Sequence, residues 1–110
     1  MVLQVERVRS VTVVSLEGKL NLESCPTVES AINDIPAGSR VLFDLSRLDY
    51  VASAGLRLFL LAAKSAARSN GKVALCCLTS NVTQIFRLSG FNTFLQIEAD
   101  RETALKKLEA

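Results

Sequence analysis

The sequence predicts an α/β fold: a small mixed β-sheet with helices packed against it, in the order β-β-α-β-α-β-α-β-α. Three observations predict it. Two short β-type runs, Leu3–Val8 and Val11–Leu16, are separated by Arg9–Ser10 alone and so read as an antiparallel hairpin. Arg40–Leu45 and Lys72–Leu78 each hold a continuous apolar run, as strands buried on both faces do. The residues between and after those runs have helical spacing, so the later strands are joined through helices and run parallel, in a right-handed sense.

Taken in order, the first strand is polar on one face, which suits a sheet edge. Glu17–Asn21 ends the second strand, with Gly18 available for a bend. From Leu22 onward Val28, Ala31, Ile32 and Ile35 fall on one helical face. Pro26 fits its first turn, where a missing N–H costs little, and Pro36–Ala37–Gly38 stops it. The third strand is Arg40–Leu45, followed by a polar connector of alternating charge, Ser46–Tyr50, and the small residues Ala52–Gly55. A long helix is predicted over Ala54–Ser69, rich in Leu and Ala and closed by Asn70–Gly71. After Lys72–Leu78, Asn81 with Gln84 resembles a capping box that opens a short helix using Val82, Ile85, Phe86 and Leu88, ended by Ser89–Gly90. Phe94–Ile97 is the last strand, and Asp100 N-caps a final helix that buries Ala104, Leu105 and Leu108.

Length and composition narrow the function. A chain of 110 residues, 49% hydrophobic and 22% charged, suits one globular domain spanning 1–110. A net charge of +2 with interspersed signs argues for neither nucleic acid nor a membrane surface as partner. No apolar stretch reaches the roughly 18 residues of a membrane span. The N-terminus lacks the basic-then-apolar plan of a signal peptide, so a cytoplasmic protein is expected. The chain has no histidine, which removes Ser–His and Cys–His nucleophile activation and zinc sites of the usual Cys/His kind. Cys76 and Cys77 are neighbours on a predicted strand, so they are expected to point to opposite faces as structural thiols. No phosphate-cradling glycine motif is present. The expectation is a protein with no catalytic residues, no metal and no cofactor.

Ser53 is the residue that draws attention, at the junction of loop and long helix. It has a plain reading, as an N-cap whose oxygen accepts a backbone N–H one turn in. It also has a functional one: a phosphate on Ser53 would meet exposed helix N–H groups and the positive end of the dipole, with Arg57 one turn along. Ala52, Ala54 and Gly55 leave the position uncluttered. Asp44 and Asp49 offer an acid–base or metal pair on paper, against simpler turn-forming and solvated roles. Arg47, Arg57, Lys64 and Arg68 put positive charge around the helix, as a solvated side or as a surface for an acidic partner.

The segment FDLSRLDYVASAGLRLFLLA at 43–62 resembles the signature of the STAS domain, and within it the stand-alone bacterial anti-sigma factor antagonists. EGKLN at 17–21 is similar to the family's G-x-L-D, and LSGF at 88–91 to the segment that closes its third helix. The resemblance covers the whole chain and implies a single STAS domain that works by partner exchange. Such an antagonist binds an anti-sigma factor, itself an ATP-binding serine kinase, and so frees a sigma factor for transcription. The kinase phosphorylates the motif serine, matched here by Ser53, and a serine phosphatase resets it. The implied partner-binding set is Asn21, Asp49, Tyr50, Ala52, Ser53, Ala54, Gly55 and Arg57. Asn21 stands where the family often has Asp, and Ala52 where it often has Asp or Ser; both changes remove polar contacts open to a kinase. The resemblance also admits an accessory subunit of another assembly, a signalling complex or lipid-transport system, without a phosphoswitch.

Overall fold

Side chains alternate across a strand, and here both alternating sets are apolar, so the sheet must be covered on both faces. The computed structural model describes all 110 residues. Its elements are β1 (Val2–Val8), β2 (Val11–Leu20), α1 (Cys25–Asn33), β3 (Arg40–Val51), α2 (Ser53–Arg68), β4 (Lys72–Cys76), α3 (Ser80–Ser89), a 3-10 turn at Phe91–Thr93, β5 (Ile97–Glu98) and α4 (Arg101–Glu109). The strands lie side by side in chain order, with β1 antiparallel to β2 and every other neighbouring pair parallel. The mixed sheet and the element order are as the sequence predicts.

Three crossovers that step the same way across a sheet put their helices on one face. Residues of α1, α2 and α3 accordingly pack with Val14, Leu16, Val41, Phe43, Leu45 and Leu75 in one core of 17 buried residues. The intervening strand residues Val11, Val13, Leu42, Ala74 and Cys76 face the other way and form a core of eight with α4. Aromatic rings join the layers on the larger side: Phe43 meets Phe59 edge-on at 5.1 Å, and Phe59 lies 6.1 Å from Phe86.

The main departure from the sequence reading is the length of the two central strands. β3 does not stop at Leu45 but continues through the polar segment to Val51, and β2 continues through Glu17 and Gly18 to Leu20. The pairing skips: Ser15 faces Asp44, Glu17 faces Arg47, Gly18 faces Leu48 and Lys19 faces Tyr50. Thus β3 carries two extra residues, as β-bulges. Each bulge resets the alternation, so Leu45, Leu48 and Val51 are all buried although three residues apart. Strict period-two reading cannot recognise such a strand.

Other corrections are local. α1 starts at Cys25 rather than Leu22, because Asn21–Ser24 forms a hydrogen-bonded turn first. β4 ends at Cys76 rather than Leu78, where Cys77 turns to φ +62°. Thr79, not Asn81, caps α3, its oxygen accepting the Val82 N–H at 3.4 Å. The last strand is Ile97–Glu98 instead of Phe94–Ile97, since the 3-10 turn uses the chain before it. Asp100 caps α4 as expected, accepting the Thr103 N–H at 2.7 Å.

Candidate functional site

In parallel β-α units each helix begins where its strand ends, so the N-termini of α1, α2 and α3 gather at one end of the sheet. That carboxyl end is where open α/β sheets present their ligand and partner groups. Here it is built around the junction of β2, β3 and α2. The Ala52 N–H donates to the Leu20 carbonyl at 2.8 Å, which ties the start of α2 to the end of β2. Gly55, in the first turn of α2, is buried against the same residue. A Cβ on it would lie 2.7 Å from Leu20 Cγ and 2.9 Å from Val51 Cγ1. Only glycine lets the helix start this close to the sheet.

Ser53 is the first helical residue, not the cap; the cap position belongs to Ala52, in extended conformation at φ −83°, ψ 169°. The N-cap reading of Ser53 is therefore wrong. Because alanine has no oxygen to offer, α2 has no side-chain cap. The Ala52 carbonyl accepts from Gly55 and Leu56, while the N–H groups of Ser53 and Ala54 are among the orphan donors of the helix start. Ser53 itself is exposed. Its hydroxyl thus stands in solvent at the positive end of a 16-residue helix.

The other expected partner residues divide between rim and support. Asp49 and Arg57 are exposed and Tyr50 is 42% exposed. Ala52 and Ala54 are half-buried and Gly55 is buried. Asn21 adjoins the rim, one residue beyond Leu20, but its side chain is committed: Oδ1 accepts the N–H of Glu23 at 3.0 Å and of Ser24 at 3.1 Å. Ser24 in turn donates its hydroxyl to the Lys19 carbonyl at 2.7 Å. On the other flank Asn81 donates to the Asp49 carbonyl at 2.6 Å, and Thr79 donates to the Leu48 carbonyl at 3.0 Å. The bulged end of β3 is thereby fixed to α3.

Sequence reasoning missed two apolar members of this surface. Leu22 is 79% exposed beside Asn21, and Leu61 is 50% exposed two turns beyond Ser53. Ser53, Arg57 and Leu61 fall at four-residue intervals, a single open stripe along α2. The signal for Leu22 was present, an apolar residue between Asn21 and Glu23; that for Leu61 was masked by the Leu-rich helix around it.

The paired-carboxylate idea fails. Asp49 is on the exposed rim, whereas Asp44 is buried on the α4 side. Arg101 donates to Asp44 Oδ2 from Nε at 3.0 Å and from Nη2 at 2.8 Å, and the Ser46 N–H donates to Oδ1 at 3.0 Å. Burial alone would raise this carboxyl, but the Ser46 amide and the Arg101 guanidinium outweigh it and hold its pKa below the usual value. Arg101 was invisible as a partner because 57 residues separate the two.

The cysteines also depart from expectation. Cys25 and Cys76 are buried, but Cys77 is half-buried. Rather than pointing away from Cys76, it packs on the same α4 side of the sheet. Burial, then the neighbouring Cys77, pushes the Cys76 thiol well above its ordinary range. Cys76 is thus a protonated thiol at neutral pH and no nucleophile.

Comparison with known proteins supplies the context. The STAS domain family matches residues 2–104. A Bordetella bronchiseptica protein, BtrV, which bears the name of an anti-sigma factor antagonist, is 34% identical over 106 residues, 94% of this chain and 91% of its own. An anti-sigma factor antagonist from Mycobacterium paratuberculosis superposes with a TM-score of 0.85 at 20% identity, covering 99% of this chain and 94% of that one. The anti-sigma factor antagonist SpoIIAA superposes in its unphosphorylated form with a TM-score of 0.76 at 21% identity, covering 98% and 96%. Its phosphorylated form, described as a Bacillus cell-fate determinant, gives 0.68 at 19% identity, covering 96% and 98%. These similarities to solved structures concern the fold.

Proposed function

Since the chain belongs to the STAS domain family, we propose that it is an anti-sigma factor antagonist, a regulator that acts by binding and not by catalysis. It binds an anti-sigma factor that is an ATP-dependent serine kinase, through the rim formed by Asp49, Tyr50, Ala52–Gly55 and Arg57. That kinase phosphorylates Ser53, the complex separates, and a serine phosphatase restores the binding form.

One observation carries this reading: Ser53 is exposed and stands at the first position of α2, a helix with no side-chain cap. The chain has no histidine to activate the Ser53 hydroxyl as a nucleophile. Ser53 is therefore suited to receive a phosphoryl group from another enzyme rather than to attack a substrate. A phosphate adds about −1.5 to −2 charges. Free in solution it is favoured there by the helix dipole and the unpaired N–H groups. In a closed interface the same group must be desolvated against a partner shaped for a hydroxyl. Because ~1.4 kcal/mol changes affinity tenfold, no refolding of the antagonist is required.

The test is incubation with the cognate anti-sigma kinase and MgATP, followed by intact-mass analysis and binding measurements. One phosphate should be added to the wild type and none to Ser53→Ala. Ser53→Ala should bind the kinase as wild type does, and Ser53→Asp at least about tenfold more weakly. Equal binding by the Asp variant, or phosphorylation elsewhere, refutes the switch.

A further inference from the structure

On the sheet face away from Ser53, we propose that Asp44, Cys76 and Cys77 form a binding site for a soft d10 metal cation. Asp44 and Cys76 are direct partners in the parallel ladder between β3 and β4, and both face α4. Cys77 would point to the opposite face if β4 continued. Instead it takes φ +62°, a left-handed conformation that a non-glycine residue holds only under constraint from its surroundings. The consequence is that both sulfur atoms and a carboxylate oxygen of Asp44 lie within 4.8 Å of one another. Ligands placed tetrahedrally at metal–sulfur distances of about 2.3 Å are themselves about 3.8 Å apart, so the cluster is near binding geometry before any metal arrives.

The donor set selects the class of metal. Two thiolates and one carboxylate suit Zn²⁺ or Cd²⁺; calcium and magnesium need many more oxygens. Binding breaks two S–H bonds, forms two S–metal bonds and releases two protons to solvent. A divalent ion with two thiolates and one carboxylate keeps one negative charge, which the Arg101 guanidinium, shared between Asp44 and Glu6, offsets in part. The Ser46 amide and Arg101 also fix the carboxylate, the role that outer groups play around metal ligands. Cys77 is half-buried, which leaves a side from which the ion can enter.

Equilibrium dialysis of the full chain against Cd²⁺ in a non-thiol reductant tests this, with the ultraviolet thiolate-to-cadmium band as a second readout. The wild type and Cys25→Ala should each bind one ion with that band. Cys77→Gly relieves the left-handed backbone and keeps Cys76, so it should fold, yet lose the band and bind at least tenfold more weakly; Cys76→Ala should do the same. A wild type that binds no cadmium, or a Cys77→Gly variant that binds as wild type does, overturns the assignment.

Discussion

Replacing Gly55 by Ala sets a local gain against a tertiary loss. Alanine in a helix interior is favoured over glycine by up to about 1 kcal/mol, and somewhat less in the first turn. Against this, the new methyl would lie 2.7 and 2.8 Å from Leu20 Cγ and Cδ2 and 2.9 Å from Val51 Cγ1. Leu20 and Val51 are both essentially sealed, at 0% and 2% exposure, so neither has room to yield. Overpacking of this kind costs about 1–3 kcal/mol, and three simultaneous contacts place it in the upper part of that range. The net prediction is a loss of about 1–2 kcal/mol, or a fall in Tm of about 4–8 °C for a chain of this size. Urea unfolding followed by circular dichroism measures it. The cause is then isolated by a cycle with Leu20→Ala, which alone should cost about 2–5 kcal/mol. In that background Gly55→Ala should be neutral or stabilising, giving a coupling of about 1–3 kcal/mol. A Gly55→Ala chain more stable than wild type, or one equally destabilised with and without Leu20, would refute the close seating of α2.

Two further outcomes follow from the contacts around the rim and beneath α4. Arg101→Met removes both guanidinium bonds to Asp44, whose residue is only 7% exposed. It should cost about 1–2 kcal/mol at neutral pH after allowance for the arginine's own exposure. The Asp44 pKa is depressed in the fold, so its stabilising contribution is present above the ordinary aspartate pKa and is lost as pH falls through the lower folded value. The gap between wild type and Arg101→Met in urea titrations should therefore shrink on acidification, and a constant gap would rule out the charged pair. Thr79→Ala deletes both the cap of α3 and the bond to the Leu48 carbonyl. It should cost about 1–2 kcal/mol by the same assay, with Thr79→Ser recovering most of it.

Local chemistry was enough to determine the order of elements, the antiparallel start and the position of Ser53 at the head of the longest helix. Those features depend on neighbours in the chain: the two-residue break at Arg9–Ser10, the apolar run Val41–Phe43, and the Leu- and Ala-rich stretch that follows Ser53. Asp100 was likewise legible as a cap because a cap acts on an N–H three residues away. Only the tertiary structure decided which polar residues lie in strands. Ser46–Tyr50 has the composition of a loop, yet it pairs with Glu17–Lys19 because two bulges let Leu45, Leu48 and Val51 all reach one core. The pairing of Asp44 with Arg101 and the approach of Cys77 to Cys76 were decided in the same way. The first bridges distant segments and the second turns on a single backbone angle, and neither leaves a periodic trace in a sequence. Whether Ser53 serves as cap or as free hydroxyl also rested on where the helix begins. One residue of shift, set by the Ala52–Leu20 hydrogen bond and the packing of Gly55, turned a satisfied oxygen into an exposed one.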